Sequence, residues 1–111
     1  MRNLGKIVVT RDINEAMNNS YEFMLCLRLA MDKFSKNDWG KTCQEDAMLN
    51  DMALEHNERI LAVYDSPMEE DIWLITEFYP KKAYEDAFGT LPANEQGEYF
   101  PVTTILFPHN Y

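Results

Sequence analysis

Residues 58–80 read ERILAVYDSPMEEDIWLITEFYP, and this stretch decides the fold. Arg59 to Tyr64 is an aliphatic run ending in an aromatic, the composition of a strand. Asp71 to Tyr79 alternates: Ile72, Leu74 and Thr76 fall on one side, and Trp73, Ile75 and Glu77 on the other. Asp65 to Glu70 lies between the two runs and contains Pro67. So short a connection joins neighbouring antiparallel strands. Pro80 closes the second strand.

Upstream, Thr42 opens a helix with a Thr-x-x-Glu capping box completed by Glu45. Met48 and Met52, with Leu49 and Ala53 beside them, supply its apolar stripe. Glu45, Asp46, Asn50, Asp51, Glu55 and Asn57 then face water. The preceding helix starts at Asn19 as N-cap, with Glu22 at N3. It carries two overlapping apolar rows: Met24, Leu27, Met31 and Phe34, and Phe23, Leu27, Ala30 and Phe34. A stripe that wide suits a helix laid across a sheet. Asn37-Asp38-Trp39-Gly40 breaks it, and the Trp39 ring closes one end of the core with its indole N–H in need of an acceptor. Nearer the N-terminus, Gly5 to Arg11 is a short strand whose contiguous Ile7, Val8 and Val9 suggest cover on both faces. Asp12 to Asn18 is a short helix or turn, with Asp12 and Glu15 as its capping pair.

Downstream, Lys81 to Tyr99 opens with a turn or two of helix, Ala83, Ala87 and Phe88 inward, and continues as loop. Val102 to Phe107 is the final strand. Strands that follow helices in this way define an α+β fold: an antiparallel sheet of three to four strands with two main helices packed on one face. The 111 residues form one domain, 1–111, in which 80–101 is an inserted surface loop.

The formal net charge is −9, and it is concentrated. Ten of the 19 acids lie between Gln44 and Glu77, where Arg59 is the sole Lys or Arg; the rest of the chain holds nine of each sign. Such a molecule is repelled by phosphates, so neither nucleic acid nor an anionic membrane is an expected direct partner. A basic protein surface is, because opposite potentials steer encounter. There is no apolar run of membrane-spanning length and no signal-peptide pattern, so the expected location is the cytoplasm. There the two cysteines, Cys26 and Cys43, have no need of a bridge.

Catalytic patterns are sparse. Glu45, Asp46, Asp51 and His56 share one predicted helix, but EF-hand spacing and a zinc-ligand pattern are both missing, so a solvated acidic face is the simpler reading and no cofactor is expected. Glu77, flanked by apolar residues, is the one carboxylate that burial would turn into an acid–base group, and it lacks a partner in sequence. Lys81-Lys82 with Tyr79 and Tyr84 is the only basic–aromatic cluster, too small against the acidic background to hold nucleic acid.

Several motifs together resemble a small protein family of phages, plasmids and conjugative elements in Firmicutes. They are Gly-Lys-Ile-Val-Val-Thr-Arg at 5–11, Asp-Trp-Gly at 38–40, Glu45-Asp46, Asn50-Asp51, Glu-Arg-Ile-Leu-Ala-Val-Tyr at 58–64, Ile-Trp-Leu-Ile-Thr-Glu at 72–77 and Thr-Thr-Ile-Leu-Phe-Pro at 103–108. The likeness covers nearly the whole chain and departs at Pro80 to Val102. Small acidic proteins of this kind from gut-bacterial mobile elements include anti-CRISPR proteins that inhibit type II effector nucleases. The resemblance thus implies a non-enzymatic inhibitor and carries over no catalytic residues; the acidic charge is what fits a DNA mimic. The surface expected to meet its basic partner comprises Glu45, Asp46, Asp51, Glu55, Glu69, Glu70 and Asp71. The alternatives are a small metal-dependent enzyme using Glu77 or Glu45/Asp46, and an accessory partner of replication or transfer proteins.

Overall fold

The hairpin is present in register. In a computed structural model describing residues 1–111, β2 (Ile60–Tyr64) pairs antiparallel with β3 (Ile72–Pro80), Ile60 opposite Thr76 and Tyr64 opposite Ile72. β3 pairs antiparallel with β4 (Tyr99–Leu106), Leu74 opposite Ile105 and Thr76 opposite Thr103. β1 (Lys6–Val9) lies parallel to β4, so the order is β1-β4-β3-β2 and the sheet is mixed. The helices are α1 (Arg11–Asn19), α2 (Tyr21–Ser35), α3 (Gln44–Ala53) and α4 (Lys81–Phe88). The α+β class is as expected; the parallel β1 edge is the departure from a purely antiparallel sheet. No helix is long and apolar enough to cross a membrane.

One sheet face carries the main core. Ile60, Ala62, Tyr64, Ile72, Leu74 and Ile105 meet Ile13 and Ala16 of α1 and Phe23, Leu27, Ala30 and Phe34 of α2. Of the two apolar rows on α2, the one starting at Phe23 is fully buried, while Met24 and Met31 are half-buried at its margin. Trp39 closes this core as expected, its ring edge-on to Phe34 at 5.8 Å and its Nε1–H donated to Asp51 at 2.9 Å.

The opposite face holds a second, smaller core, built in part by α4, the helix expected at the start of residues 81–99. Tyr84 of α4 packs with Phe100 and Val102 of β4, and Val8, Tyr79, Phe88 and Leu91 surround them. Ala83 and Ala87, expected inward, are exposed. β4 begins at Tyr99, three residues earlier than the pattern suggested. β1 is an edge strand with Lys6 and Ile7 exposed, not a strand covered on both faces.

Helix caps sit one or two residues from their expected positions. Thr10 caps α1, accepting from the Ile13 N–H, in place of Asp12. Ser20 caps α2, accepting from the Phe23 N–H, in place of Asn19. α3 begins after Cys43, which makes no side-chain cap, because Thr42 is engaged elsewhere. Its hydroxyl donates to the Trp39 carbonyl and accepts from the Val63 N–H at 2.9 Å.

A buried hydroxyl chain ties the N-terminus to the sheet centre. The Thr103 hydroxyl donates to the Leu4 carbonyl at 2.7 Å, so its lone pair accepts from Thr76, also at 2.7 Å. Both threonines have no accessible surface. Thr103→Val leaves the Thr76 hydroxyl and the Leu4 carbonyl without partners and should destabilise by about 2–3 kcal/mol. Thr76→Val leaves the Thr103–Leu4 bond in place and should cost about 1 kcal/mol. Urea unfolding of the two variants checks the asymmetry; equal losses contradict it.

Candidate functional site

The acidic surface is built on α3, and α3 is placed by the edge of β2. An edge strand presents unpaired N–H and C=O groups, which folds cover or pair. Here Leu61 is met by the Asn50 side chain: Nδ2 donates to the Leu61 carbonyl at 2.8 Å, and Oδ1 accepts from its N–H at 3.2 Å. Val63 is met by the Thr42 hydroxyl and by the Lys41 N–H, which donates to the Val63 carbonyl at 2.9 Å. Gly40, beside Val63, must be glycine: its φ is +61°, and a Cβ there would lie 2.4 Å from the Tyr64 ring and 2.6 Å from the Val63 carbonyl oxygen.

This anchoring turns α3 opposite to expectation. Asn50 and Ala53 are buried, Ala47 and Leu54 half-buried, and Met48, Leu49 and Met52 are 59%, 60% and 61% exposed. Three of the four expected stripe residues face solvent while Ala53 is buried as expected, and one residue assigned to water, Asn50, faces the sheet. Full burial of such side chains is worth about 1.5–3 kcal/mol each, so a stabilisation of several kcal/mol goes unused on this face.

The seven expected contact acids divide into two kinds. Glu45, Asp46, Glu55 and Glu69 are exposed and take part in no ion pair. Asp51, Glu70 and Asp71 are occupied inside the fold. Asp51 accepts the Trp39 indole N–H. Asp71 accepts from Lys41 Nζ at 3.0 Å, and Asp65 lies 3.1 Å from the same amine. That bridge joins the segment leading into α3 to the hairpin turn, and the hydrogen bonds to Asp71 and then Asp65 raise the Lys41 pKa. The turn itself is shaped by Ser66, whose hydroxyl donates to the Glu70 carbonyl and accepts from the Met68 N–H.

Glu70 belongs to a clasp that sequence reasoning missed. Past β4, a short 3-10 turn (Pro108–Asn110) sets the His109 ring between two carboxylates. Nε2 meets Asp12 at 2.6 Å and Nδ1 meets Glu70, whose other oxygen accepts the His109 backbone N–H at 3.1 Å. Asn110 donates to Asp12 at 2.9 Å and accepts from the Thr10 hydroxyl. With both ring nitrogens held by carboxylates, His109 joins the chain's two ends and the hairpin turn and has no lone pair free to act as a base. The hydrogen bond to Asp12, then that to Glu70, raises its pKa; the bond from Asn110, then that from His109, lowers the pKa of Asp12. Only the spacing of three partners roughly forty to one hundred residues apart creates the clasp, and no local pattern signals it.

The clasp predicts a pH dependence. The His109 contribution is fully present below 6.5, its ordinary value, and is lost as pH rises through the raised folded value. The Asp12 contribution is present above 3.8 and is lost as pH falls through the lowered folded value. The clasp therefore stabilises most between 3.8 and 6.5. The melting temperature of wild type should drop more than that of His109→Gln between about pH 5.5 and about pH 8.5. Parallel curves for the two proteins would contradict the assignment.

Glu69 and Glu70, with Asp12, Glu15, Ala16, Met68 and Phe107, also line an open hollow of about 360 Å³. Asp12 is engaged by His109 and Asn110, and Glu15 pairs with Arg11 at 3.4 Å, so neither adds a free carboxylate there. The acid–base reading of Glu77 loses its premise, since that side chain is exposed in β3. Glu45 and Asp46 do not converge with other ligand types, and no three His, Cys, Asp or Glu side chains are placed to hold a metal ion. In comparison with known proteins, the chain matches no family model, no curated protein and no solved structure.

Proposed function

We propose that the protein is a non-enzymatic acidic inhibitor that occupies the nucleic-acid-binding surface of a basic host protein. In the form implied by its sequence resemblance, it comes from a mobile element and blocks a CRISPR effector nuclease. The observation that carries the reading is the charge distribution: the whole net charge of −9 resides between Gln44 and Glu77, and Glu45, Asp46, Glu55 and Glu69 stand exposed and unpaired on a helix and turn fixed by internal bonds. A cleft shaped for phosphates, spaced about 1.7 Å per charge along duplex DNA, attracts such a surface. The backbone that carries these carboxylates is already ordered, so binding needs only their side chains to be positioned.

The test is a cleavage assay with a purified type II effector nuclease, its guide RNA and target DNA. Pre-incubation with the protein should abolish cleavage near one equivalent. Full cleavage at a large excess would remove the CRISPR form of the reading.

A further inference from the structure

We infer that the outward face of α3 receives a basic amphipathic helix of a partner protein. Met48, Leu49 and Met52 would take its apolar stripe, and Glu45, Asp46 and Glu55 its flanking lysines and arginines. The inference rests on the acidic-binder reading and narrows it from a charged cleft to a helix.

Three observations support it. First, the exposed apolar residues recur at the three- and four-residue steps that place side chains on one helix face. Two are methionines, whose flexible thioethers adapt to a range of apolar partners. Secondly, a hollow of about 230 Å³ lined by Asp46, Leu49, Asn50, Arg59 and Leu61 lies beside the stripe and offers a seat for one anchoring side chain. Thirdly, the rim selects the occupant. A second copy would bring Glu45, Asp46 and Glu55 against their own kind at a net charge of −9 on each molecule, and an anionic lipid surface would repel it likewise. A cationic amphipathic helix satisfies both the stripe and the rim, which is the helix-in-groove mode of recognition. α3 is already fixed from beneath by Asn50, Asp51 and Ala53, so its face is presented ready-formed.

The probe is a synthetic peptide of about 18 residues with leucines at helical spacing and lysines elsewhere, set against a scrambled peptide of identical composition. Fluorescence anisotropy should show the ordered peptide binding at least about tenfold more tightly than the scrambled one, with helix induction seen by circular dichroism. The triple variant Met48→Ser, Leu49→Ser, Met52→Ser should lose that preference while keeping its melting temperature. Equal binding of the two peptides to wild type overturns the inference and leaves the acidic-binder reading standing. Failure of both peptides to bind at low salt overturns both. A wild-type dimer in sedimentation equilibrium that the triple variant dissolves also overturns it, assigning the face to a second copy.

Discussion

Asn50→Ala is expected to destabilise the protein by about 2–4 kcal/mol, although a polar residue on an acidic helix would ordinarily be replaceable at little cost. Asn50 is only 4% exposed, and its amide makes both of its bonds to one backbone residue, Leu61. Truncation strips the outer edge of β2 of two partners and leaves Leu61 N–H and C=O facing a void. It also frees α3, a ten-residue helix too short to persist without its tertiary contacts. Asn50→Asp should be nearly as damaging, because a carboxylate accepts from the Leu61 N–H but repels the Leu61 carbonyl. Met48→Ala, on the opposite side of the same helix, should cost less than about 1 kcal/mol. Urea midpoints for the three variants decide the matter. A large loss at Met48 with a small one at Asn50 would mean that α3 is turned the other way.

The second large effect concerns binding. Reversing Glu45, Asp46, Glu55 and Glu69 to lysine adds two charges at each site and takes the net charge from −9 to −1. Affinity for a basic partner should fall by about 100-fold or more at moderate salt, since each lysine now opposes the partner's own cations. The fold should survive, because none of the four is engaged in an ion pair. A modest stability loss of about 0.3–1 kcal/mol each is expected at Glu45 and Asp46, which lie in the first turn of α3 and complement its dipole. Reversing Asp51, Glu70 and Asp71 instead would break the Trp39, His109 and Lys41 contacts, so a loss of binding there would report on the fold as much as on the surface.

The hairpin was legible in sequence because its period of two is a local property: Ile72, Leu74 and Thr76 alternate with Trp73, Ile75 and Glu77 whatever else the chain does. The buried row of α2 and the role of Trp39 were legible for similar reasons. The orientation of α3 was not. Its sequence offers Met48, Leu49 and Met52 to a core, and hydropathy alone turns them inward. What overrules this is the need of β2 for an edge partner, met by Asn50 and Thr42, and that need exists only once the sheet has formed. The same displacement explains the shifted cap: a Thr42 hydroxyl engaged by Trp39 and Val63 cannot also cap α3. The acidic surface was legible as charge, but which carboxylates are free was not, because Lys41, Trp39 and His109 reach their partners across 12 to 39 residues. The small core around Tyr84 escaped notice because Gly, Pro and polar residues dominate the stretch between α4 and β4.

The proposed inhibition rests on exposed carboxylates capturing a basic nucleic-acid-binding surface. The most direct measurement is the dissociation constant for a purified type II effector nuclease across a salt series from about 50 mM to about 500 mM. Affinity should fall steeply with salt for wild type and only shallowly for the four-lysine variant, and target DNA should compete with wild type for the same surface. Salt-independent binding, or a four-lysine variant that binds as tightly as wild type, would contradict the account.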